Sequence, residues 1–396
     1  MIWRATSPFL ALALCFFLAG CPSHSTVGPA DPGAGRQIAR PVFSAPLSGT
    51  PAPWAPLAGA LASAGLDARK LRAFFSSREL TFTPVPMETK LRELFPIFFR
   101  SDLTKAVQEK LFQLGYEVAI DGRNGPGTRK AIAAFARDRA LSFKPDPSPE
   151  LNARLDEALR AGRTRTLAEY APPKAAPPNR TATHTQFTNA SALAKIKAHY
   201  LADKALFDRA WRAYGVPGAV VCSIMWIETG YGSYFGKNKA AQQLASMAAS
   251  SDYELIAPYV ADLSAGREER AFLAETSLKR GAWARDELFA LLKYAWENNL
   301  DPLAFPGSVY GAIGYGQFMP SNIAKYAADG DGDQIIDLFN KSDAVFSIAN
   351  YLRQNGWTGA GIAEAGRREA IRRYNNSGVY VNTVLYVADY LSAAAP

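Results

Sequence analysis

The sequence predicts a mainly α-helical protein, and three observations support this. Residues 57–99 mix polar and apolar positions at helical spacing, and a proline-containing break from Thr83 to Pro86 divides them into two short helices. A long apolar run that ends at Glu228 is typical of a buried helix. No run of alternating polar and apolar residues predicts a sheet, and no internal repeat is visible. The length of 396 residues allows about two or three domains with ample core.

The first residues have the features of an export signal. Arg4 precedes an apolar stretch from Phe9 to Phe17, and the sequence Leu18-Ala19-Gly20-Cys21 follows. This pattern predicts a signal peptide over residues 1–20, and its end resembles a bacterial lipobox, with Cys21 as the lipidated first residue of the mature chain. An ordinary cleaved signal or a short membrane anchor is the alternative, although the apolar stretch is short for a bilayer.

Cysteine usage and charge argue against a disulfide-bonded protein and against a nucleic-acid-binding protein. Cys15 lies in the predicted signal peptide and Cys21 would carry lipid, so Cys222 is left alone and no intramolecular disulfide is expected. Within its apolar run, Cys222 is predicted to be a small buried side chain. The net charge of +8 is spread along the chain without a basic stripe, so nucleic acid is not a predicted partner. A mild basic excess is compatible with an acidic polymer.

Composition divides the chain after the signal peptide into five segments. Serine, proline, glycine and alanine dominate the first, which predicts a flexible tether, and a proline-rich run from Pro172 to Pro178 predicts a stiff linker. The second segment is predicted to be helical, and it is either a separate unit or part of the C-terminal domain. The predicted segments are the tether 21–56, the helical segment 57–100, a small domain 101–162, the linker 163–184 and the C-terminal domain 185–396.

The small domain contains a glycine-rich turn between apolar helical patterns. Pro126 suits the first position of a helix whose Ile132 and Phe135 face a core. The sequence from Asp121-Gly122 to Thr128-Arg129 resembles the small three-helix peptidoglycan-binding domain, which implies peptidoglycan strands as a partner. The residues of this turn are individually expected to be structural.

Glu228 is the leading candidate for chemistry. Small and apolar residues from Val220 onward lead to this single carboxylate, and Gly230 and Gly232 follow it. A carboxyl group at the end of a buried helix that faces a cleft loses solvation, which raises its pKa and lets it act as a general acid. From this segment alone, a capping or salt-bridged glutamate is the alternative.

Two further motifs suit a groove for a sugar polymer. Tyr310–Ser321 and Ile371–Ser377 set small residues beside aromatic rings, an amide and a hydroxyl group. With Glu228 they resemble the lytic murein transglycosylase B family over about Phe187–Tyr390. The resemblance implies a lysozyme-like catalytic domain over 185–396. It also implies an outer-membrane lipoprotein that faces the periplasm, attached through lipid on Cys21, with cell-wall synthesis enzymes as further partners.

The activity implied is cleavage of the β-1,4 bond between MurNAc and GlcNAc without water, which leaves 1,6-anhydroMurNAc ends. By resemblance, Glu228 protonates the leaving oxygen and then deprotonates the C6 hydroxyl group. Glycoside hydrolases usually need two carboxylates, and these motifs contain one. A muramidase that hydrolyses the bond and a non-catalytic peptidoglycan-binding lipoprotein are the alternatives.

The resemblance also implies residues that line the sugar subsites. Phe318 and Tyr380 could instead belong to the core, and Lys279 could face solvent. An insertion that includes 250–269 departs from the family pattern, leaves the basic pair in doubt and is a candidate lid or wall. The implied residues are Ser308, Gln317, Phe318, Tyr351, Tyr374, Asn375, Tyr380, Lys279 and Arg280.

An aspartate-rich loop is a candidate calcium site. Asp329, Asp331 and Asp333 repel one another unless a hard cation lies between them, and Ile335 could add a backbone carbonyl ligand. The family resemblance implies a calcium loop whose closing carboxylate is Asp343. Two residues depart from the EF-hand pattern, because Gln334 replaces a glycine and Asn340 replaces a glutamate. An acidic turn without an ion is the alternative.

Overall fold

The computed structural model describes residues 45–142, 144–172, 181–264, 266–359 and 361–394. Helices dominate this part of the chain, which confirms the mainly α prediction. The α-helices are α1 (Ala55–Ser63), α2 (Ala68–Phe75), α3 (Val85–Phe98), α4 (Asp102–Gln113), α5 (Pro126–Asp138), α6 (Pro149–Ala161), α7 (Thr185–Thr188), α8 (Ala190–Ala202), α9 (Lys204–Tyr214), α10 (Gly218–Thr229), α11 (Ala240–Ala249), α12 (Arg267–Glu297), α13 (Pro320–Tyr326), α14 (Lys341–Gln354), α15 (Glu364–Tyr374) and α16 (Gly378–Ala394). Short 3-10 helices span Leu167–Glu169, Tyr253–Leu255, Ala257–Leu263 and Pro302–Ala304. Strands β1 (Asn238–Lys239) and β2 (Pro306–Gly307) pair antiparallel.

One large hydrophobic core contains the N-terminal helices as well as the C-terminal ones. Trp54, Leu61 and Met87 lie in the same cluster of buried side chains as Ile224 and Leu288. Helices α1 and α3 pack against α11 and α12. Residues 45–99, here called the N-terminal segment, are therefore continuous in space with the body formed after residue 181.

The last residues of the predicted tether pack against this core. Trp54 is 4% exposed, and the Leu47 N–H donates to the Ala55 carbonyl at 3.0 Å. Packing of the chain on the body thus begins before residue 56. Residues 1–44, with the predicted signal peptide and Cys21, lie outside the described residues.

Helices α4, α5 and α6 enclose a second, smaller core. The buried Gln108 side chain organises the turn between α4 and α5. Its Nε2 donates to Asp121 Oδ1, to the Arg123 carbonyl and to Thr128 Oγ1, and its Oε1 accepts from the Asp121 and Gly122 N–H groups. The turn residues are thus structural, as predicted, and this unit has the predicted three helices.

The predicted linker begins by packing back on the three-helix unit. The N–H groups of Thr164 and Arg165 donate to the Gln113 carbonyl at 3.0 and 3.1 Å. The Tyr170 hydroxyl accepts from the Ile120 N–H at 2.8 Å. The rest of the linker from 173 to 180 lies outside the described residues.

The insertion near 250–269 contacts α3 and α12. The Arg92 guanidinium on α3 forms two hydrogen bonds to the Asp262 carboxylate, at 2.8 and 3.0 Å, and a third to the Tyr259 carbonyl. Close packing at Gly281 of α12 leaves no room for a Cβ, which would lie 2.4 Å from Ser251 Cβ. The insertion thereby joins the N-terminal segment to the body.

Among the described helices, none combines the length and the apolar composition that a membrane crossing needs.

Candidate active site

Glu228 lies in the last turn of α10. Every other residue of this twelve-residue helix is buried, and Glu228 alone is partly exposed. Gly230 ends the helix at φ 59°, a left-handed conformation that glycine adopts at little cost. The apolar sequence therefore carries one carboxyl group through the core to its edge, as predicted.

The Glu228 carboxyl group is only partly hydrogen-bonded. Its Oε1 accepts a bond of 2.7 Å from the Tyr380 hydroxyl, whereas Oε2 is buried without a partner among the described residues. Burial raises the pKa of Glu228 well above its usual range, and the bond from Tyr380 opposes that rise in part. Because Oε1 accepts the tyrosine bond, the proton of the neutral form belongs on Oε2.

The glycine-rich segment 308–319 forms a tight loop. Ile313 and Phe318 exchange two backbone hydrogen bonds of 3.0 and 2.9 Å. Gly314 has φ 73°, and a Cβ there would lie 2.5 Å from a backbone oxygen of a neighbouring segment. Gln317 also has a positive φ, of 48°, and its side-chain Nε2 donates to the Gly314 carbonyl at 3.1 Å. Gln317 thus braces the loop from within.

Three aromatic side chains pack between this loop and α14 and α15. The Tyr374 hydroxyl donates to the Gly316 carbonyl at 2.5 Å, and the rings of Phe318, Tyr351 and Tyr374 meet edge to face at 4.8 to 6.0 Å. Burial first, and then the charge of Glu228, raises the pKa of Tyr374. The aromatic cluster and Glu228 therefore belong to one site.

Several members of this site are as buried as core residues. Phe318 is 3% exposed and Tyr380 is 1% exposed. Asn375 is buried at the end of α15, directly after Tyr374. Phe318 and Tyr380 therefore pack as core residues, which was the alternative to lining the sugar subsites. The Tyr380 hydroxyl nevertheless contacts Glu228.

The predicted serine and the predicted basic pair lie in different settings. Ser308 Oγ accepts from the N–H groups of Tyr310 and Ala312 and so fixes the start of the loop. The Lys279 side chain is 71% exposed and pairs with a glutamate one turn away. Arg280 is half-buried, and its positive charge adds to the burial that lowers the pKa of Lys90. The pair therefore splits between solvent and the N-terminal segment.

Thr229 is a positioning residue that the sequence analysis missed. Its buried Oγ1 donates to the Tyr315 carbonyl at 3.1 Å and accepts from the Gly232 N–H at 3.0 Å. These bonds connect the residue after Glu228 to the glycine-rich loop. A buried hydroxyl between a helix end and two glycines is the signal that could have indicated this role.

The N-terminal segment also reaches this loop. Lys90 and Glu93 of α3 form a 2.7 Å ion pair, the Tyr310 hydroxyl donates to Glu93 Oε1 at 2.9 Å, and the Lys90 ammonium lies 4.0 Å from the centre of the Tyr310 ring. Burial lowers the pKa of Lys90, although Glu93 opposes this. Two charges on the apolar face of α3 were the available signal.

The aspartate-rich loop gathers three carboxylates. The ligand oxygens of Asp329, Asp331 and Asp333 all lie within 4.8 Å of one another. Backbone N–H groups of Gln334 and Gly332 donate to Asp329 and lower its pKa. Hard oxygen donors at this separation fit a divalent cation such as calcium.

Asp343 has a different place from the other predicted ligands. It is 1% exposed, and its two oxygens accept from the N–H groups of Gly330 and Asp337, both at 2.7 Å. Burial raises its pKa. Asp343 therefore ties the two ends of the loop together through the loop's backbone N–H groups.

The two departures from the EF-hand pattern have structural explanations. Gln334 has φ 70°, so it adopts the left-handed conformation for which glycine is usual. Asn340 donates to Asp331 Oδ2 at 2.6 Å and caps α14 through a bond from the Ser342 N–H. Ile335 is exposed at the loop surface. The loop closes without a glutamate at its last position.

Comparison with known proteins agrees with these motifs. Residues 150–367, more than half of the chain, match the transglycosylase SLT domain family, and residues 100–143 match the putative peptidoglycan binding domain. The membrane-bound lytic murein transglycosylase B of Escherichia coli (strain K12) is 35% identical over 150 residues, which is 38% of this chain and 34% of that protein. The match spans about a third of that relative's length.

Several solved structures are similar. A lytic transglycosylase of Escherichia coli in complex with calcium is 21% identical with a TM-score of 0.44, over 70% of this chain and 96% of that one. A soluble lytic transglycosylase of Pseudomonas aeruginosa is 20% identical with a TM-score of 0.44, over 68% and 99%. The predicted family resemblance is confirmed by the family match, and the chain belongs to the transglycosylase SLT domain family.

Proposed function

We propose that this protein is a lytic transglycosylase that cleaves the MurNAc–GlcNAc β-1,4 bond of peptidoglycan. The observation that carries the proposal is the Glu228 carboxyl group, which has a raised pKa, one bond to Tyr380 and a buried Oε2 without a partner. A carboxyl group with a raised pKa keeps its proton to higher pH and can donate it to a leaving oxygen.

Glu228 serves first as the acid and then as the base. Its proton passes to the glycosidic oxygen as the C1–O bond breaks, and the N-acetyl group of the substrate stabilises the cationic centre. The Glu228 carboxylate then removes the C6 hydroxyl proton, and the C6 oxygen closes on C1. The proton gained equals the proton lost, so the 1,6-anhydro product forms without water.

Tyr380 stabilises the ionised form of Glu228 that exists between the two proton transfers. The Tyr380 hydroxyl bond stabilises the carboxylate after it has given up its proton. No other carboxyl group among the described residues contributes to the Glu228 pKa shift. This supports a mechanism that uses one carboxyl group, in contrast to the pair that most glycoside hydrolases use.

A glutamine substitution tests the catalytic proposal. Glu228→Gln keeps the side-chain shape and cannot exchange a proton, so formation of the anhydro product should fall by at least about a hundredfold while binding to glycans survives. Glu287→Gln is a matched control, because Glu287 is also a buried glutamate with a raised pKa but bonds to Ser321.

Product masses from purified sacculi separate the alternatives. Anhydro ends support transglycosylation, whereas products heavier by one water would make the enzyme a muramidase. A wild-type protein that binds sacculi without product would be the non-catalytic binding lipoprotein. Full activity of the Glu228→Gln variant would overturn the assignment of Glu228.

We further propose that the aspartate-rich loop binds calcium through Asp329, Asp331, Asp333, the Ile335 carbonyl and Asp343. The three clustered carboxylates support this, because without a cation their charges repel. The ion would supply positive charge that holds the loop, with no step in the reaction. Calcium should therefore raise the melting temperature relative to chelator, and Asp331→Asn should reduce the rise. Identical melting temperatures would remove the site.

The three-helix unit is proposed to hold the enzyme on the cell wall, since residues 100–143 match a peptidoglycan-binding domain. A lipid on Cys21 is proposed to attach the chain to the outer membrane on its periplasmic side, and cell-wall synthesis enzymes remain proposed partners. The relative from Escherichia coli is named as membrane-bound, which supports membrane attachment. Radiolabelled palmitate incorporation that is lost in Cys21→Ser tests the anchor.

A further inference from the structure

A cleft of about 440 Å³ lies on a face of the body that the proposed reaction does not use. Helices α15 and α16 form two of its sides, and the segment before α7 forms the third. Its lining residues are Thr181, Thr183, Glu364, Arg367, Arg368, Asn382, Leu385, Tyr386 and Asp389. The volume is within the range of small-ligand sites.

The cleft and the candidate active site lie on opposite faces of α16. Tyr380, which contacts Glu228, is at the start of this helix. Asp389 follows it by nine residues, or two and a half turns at ~3.6 residues per turn, so it points the opposite way. The cleft is thus separate from the proposed sugar groove, although one helix connects the two.

Two opposite charges line the cleft without pairing. Within the described residues, neither Arg367 nor Asp389 forms an ion pair, and the Arg367 Nε is buried with no hydrogen-bond partner. Arg368 differs, because it donates to the Asn382 side chain. An unpaired guanidinium and an unpaired carboxylate in the lining of one cleft can each bind an oppositely charged group of a ligand.

Of the remaining lining residues, Glu364 pairs with Arg368 at 3.8 Å, and the others add apolar surface and hydroxyl groups. The Tyr386 side chain is 50% exposed, and Leu385 lies beside it. Thr181 and Thr183 line the opposite side. A cation and an anion in one cleft suit a compact zwitterion, and the apolar surface in the same lining suits its short aliphatic chain.

We propose that this cleft binds a free α-amino carboxylate on a peptide, with its carboxylate on Arg367 and its ammonium group on Asp389. This identification of the ligand rests on the proposed function. The ligand is the diamino-acid end of an uncross-linked peptidoglycan stem peptide. Arginine provides the planar fork that carboxylates prefer. Cross-linking converts the ammonium group to an amide, so the cleft distinguishes free stems from cross-linked ones.

The test measures binding of a synthetic stem tripeptide that ends in a diamino acid. It uses the full-length Glu228→Gln protein and isothermal titration, and the peptide has no glycosidic bond, so the result does not depend on lytic activity. Arg367→Ala should weaken binding at least tenfold, and Arg367→Lys should weaken it less. Lys195→Ala removes one exposed positive charge elsewhere and should leave binding unchanged.

One modified peptide and one protein variant test the chemistry of recognition. N-acetylation of the side-chain amine should weaken binding to the parent protein tenfold, and Asp389→Asn should remove most of that difference. Equal affinity of the parent and Arg367→Ala proteins, with unchanged melting temperatures, would overturn the proposal. Binding of acetate as tight as that of the peptide would reduce the cleft to an anion site and overturn it as well.

Discussion

At the scale of single residues, the chemistry of the site comes from where one carboxyl group is placed. The apolar run before Glu228 was sufficient to predict a buried helix with an acid at its end, because burial follows from composition. Its hydrogen-bond partner Tyr380 is 152 residues away, and no local spacing predicts such a contact. The family resemblance alone pointed to Tyr380.

Replacement of Glu228 by glutamine should also change how stability depends on pH. The folded pKa of Glu228 lies above its unfolded value, so the folded state holds a proton that the unfolded state loses. The wild-type protein should therefore lose stability relative to Glu228→Gln as the pH rises above about 4.3, the unfolded value.

Melting temperatures of both proteins between pH 4 and pH 8 give the measurement. The advantage of the variant should grow with pH across that window. Glu369→Gln offers the control, since it makes the same substitution at an exposed glutamate. A constant difference at every pH would mean that the carboxyl group is not desolvated.

At the scale of elements, the glycine-rich loop depends on contacts from distant segments. The small and aromatic residues of this segment indicated a groove for a sugar polymer, but its supports come from α3 and from the residue after Glu228. Gln334 illustrates the same limit, because a loop fixed at both ends can hold a non-glycine residue at positive φ. Sequence spacing predicted the aspartates of that loop and could not predict Asp343 as a clamp on its backbone.

Tyr310→Phe should destabilise the protein by about 1–3 kcal/mol, because it leaves the partly buried Glu93 carboxylate short of a donor. Urea unfolding curves measure the change. Tyr259→Phe in the insertion is the matched control, since that side chain is exposed. Equal midpoints for the two variants would show that the contact between α3 and the loop contributes little.

At the scale of the whole molecule, two cores account for the architecture. The family resemblance of its turn implied the three-helix unit. The sequence left the membership of 57–100 open, because an amphipathic pattern does not specify which surface it packs against. In the structure, these helices share one core with the body, although the three-helix unit separates the two in sequence.

Deletion of residues 101–165, with a short glycine-serine connector in their place, should therefore leave the body folded. Activity on short soluble glycans should persist, whereas activity on sacculi should fall because the tethering unit is lost. Pull-down with sacculi and release of soluble products measure the two effects. Gln108→Ala is the companion variant, since it removes the hydrogen bonds that hold the turn of that unit.

Equal loss of activity on both substrates would show that the unit supports the fold of the body. Undiminished binding of the deletion protein to sacculi would show that the wall contact lies elsewhere.

The contact between Glu93 and Tyr310 joins residues 217 positions apart in the chain. During synthesis, the apolar faces of α1, α2 and α3 therefore emerge long before the helices that cover them. All buried core residues of the three-helix unit have been synthesised once the chain reaches Ala158. This unit can therefore fold before the helices that cover α1, α2 and α3 exist. A nascent chain arrested before α11 would expose Trp54 and Leu61 to chaperones and proteases, and protection would arrive only when the C-terminal third has been made.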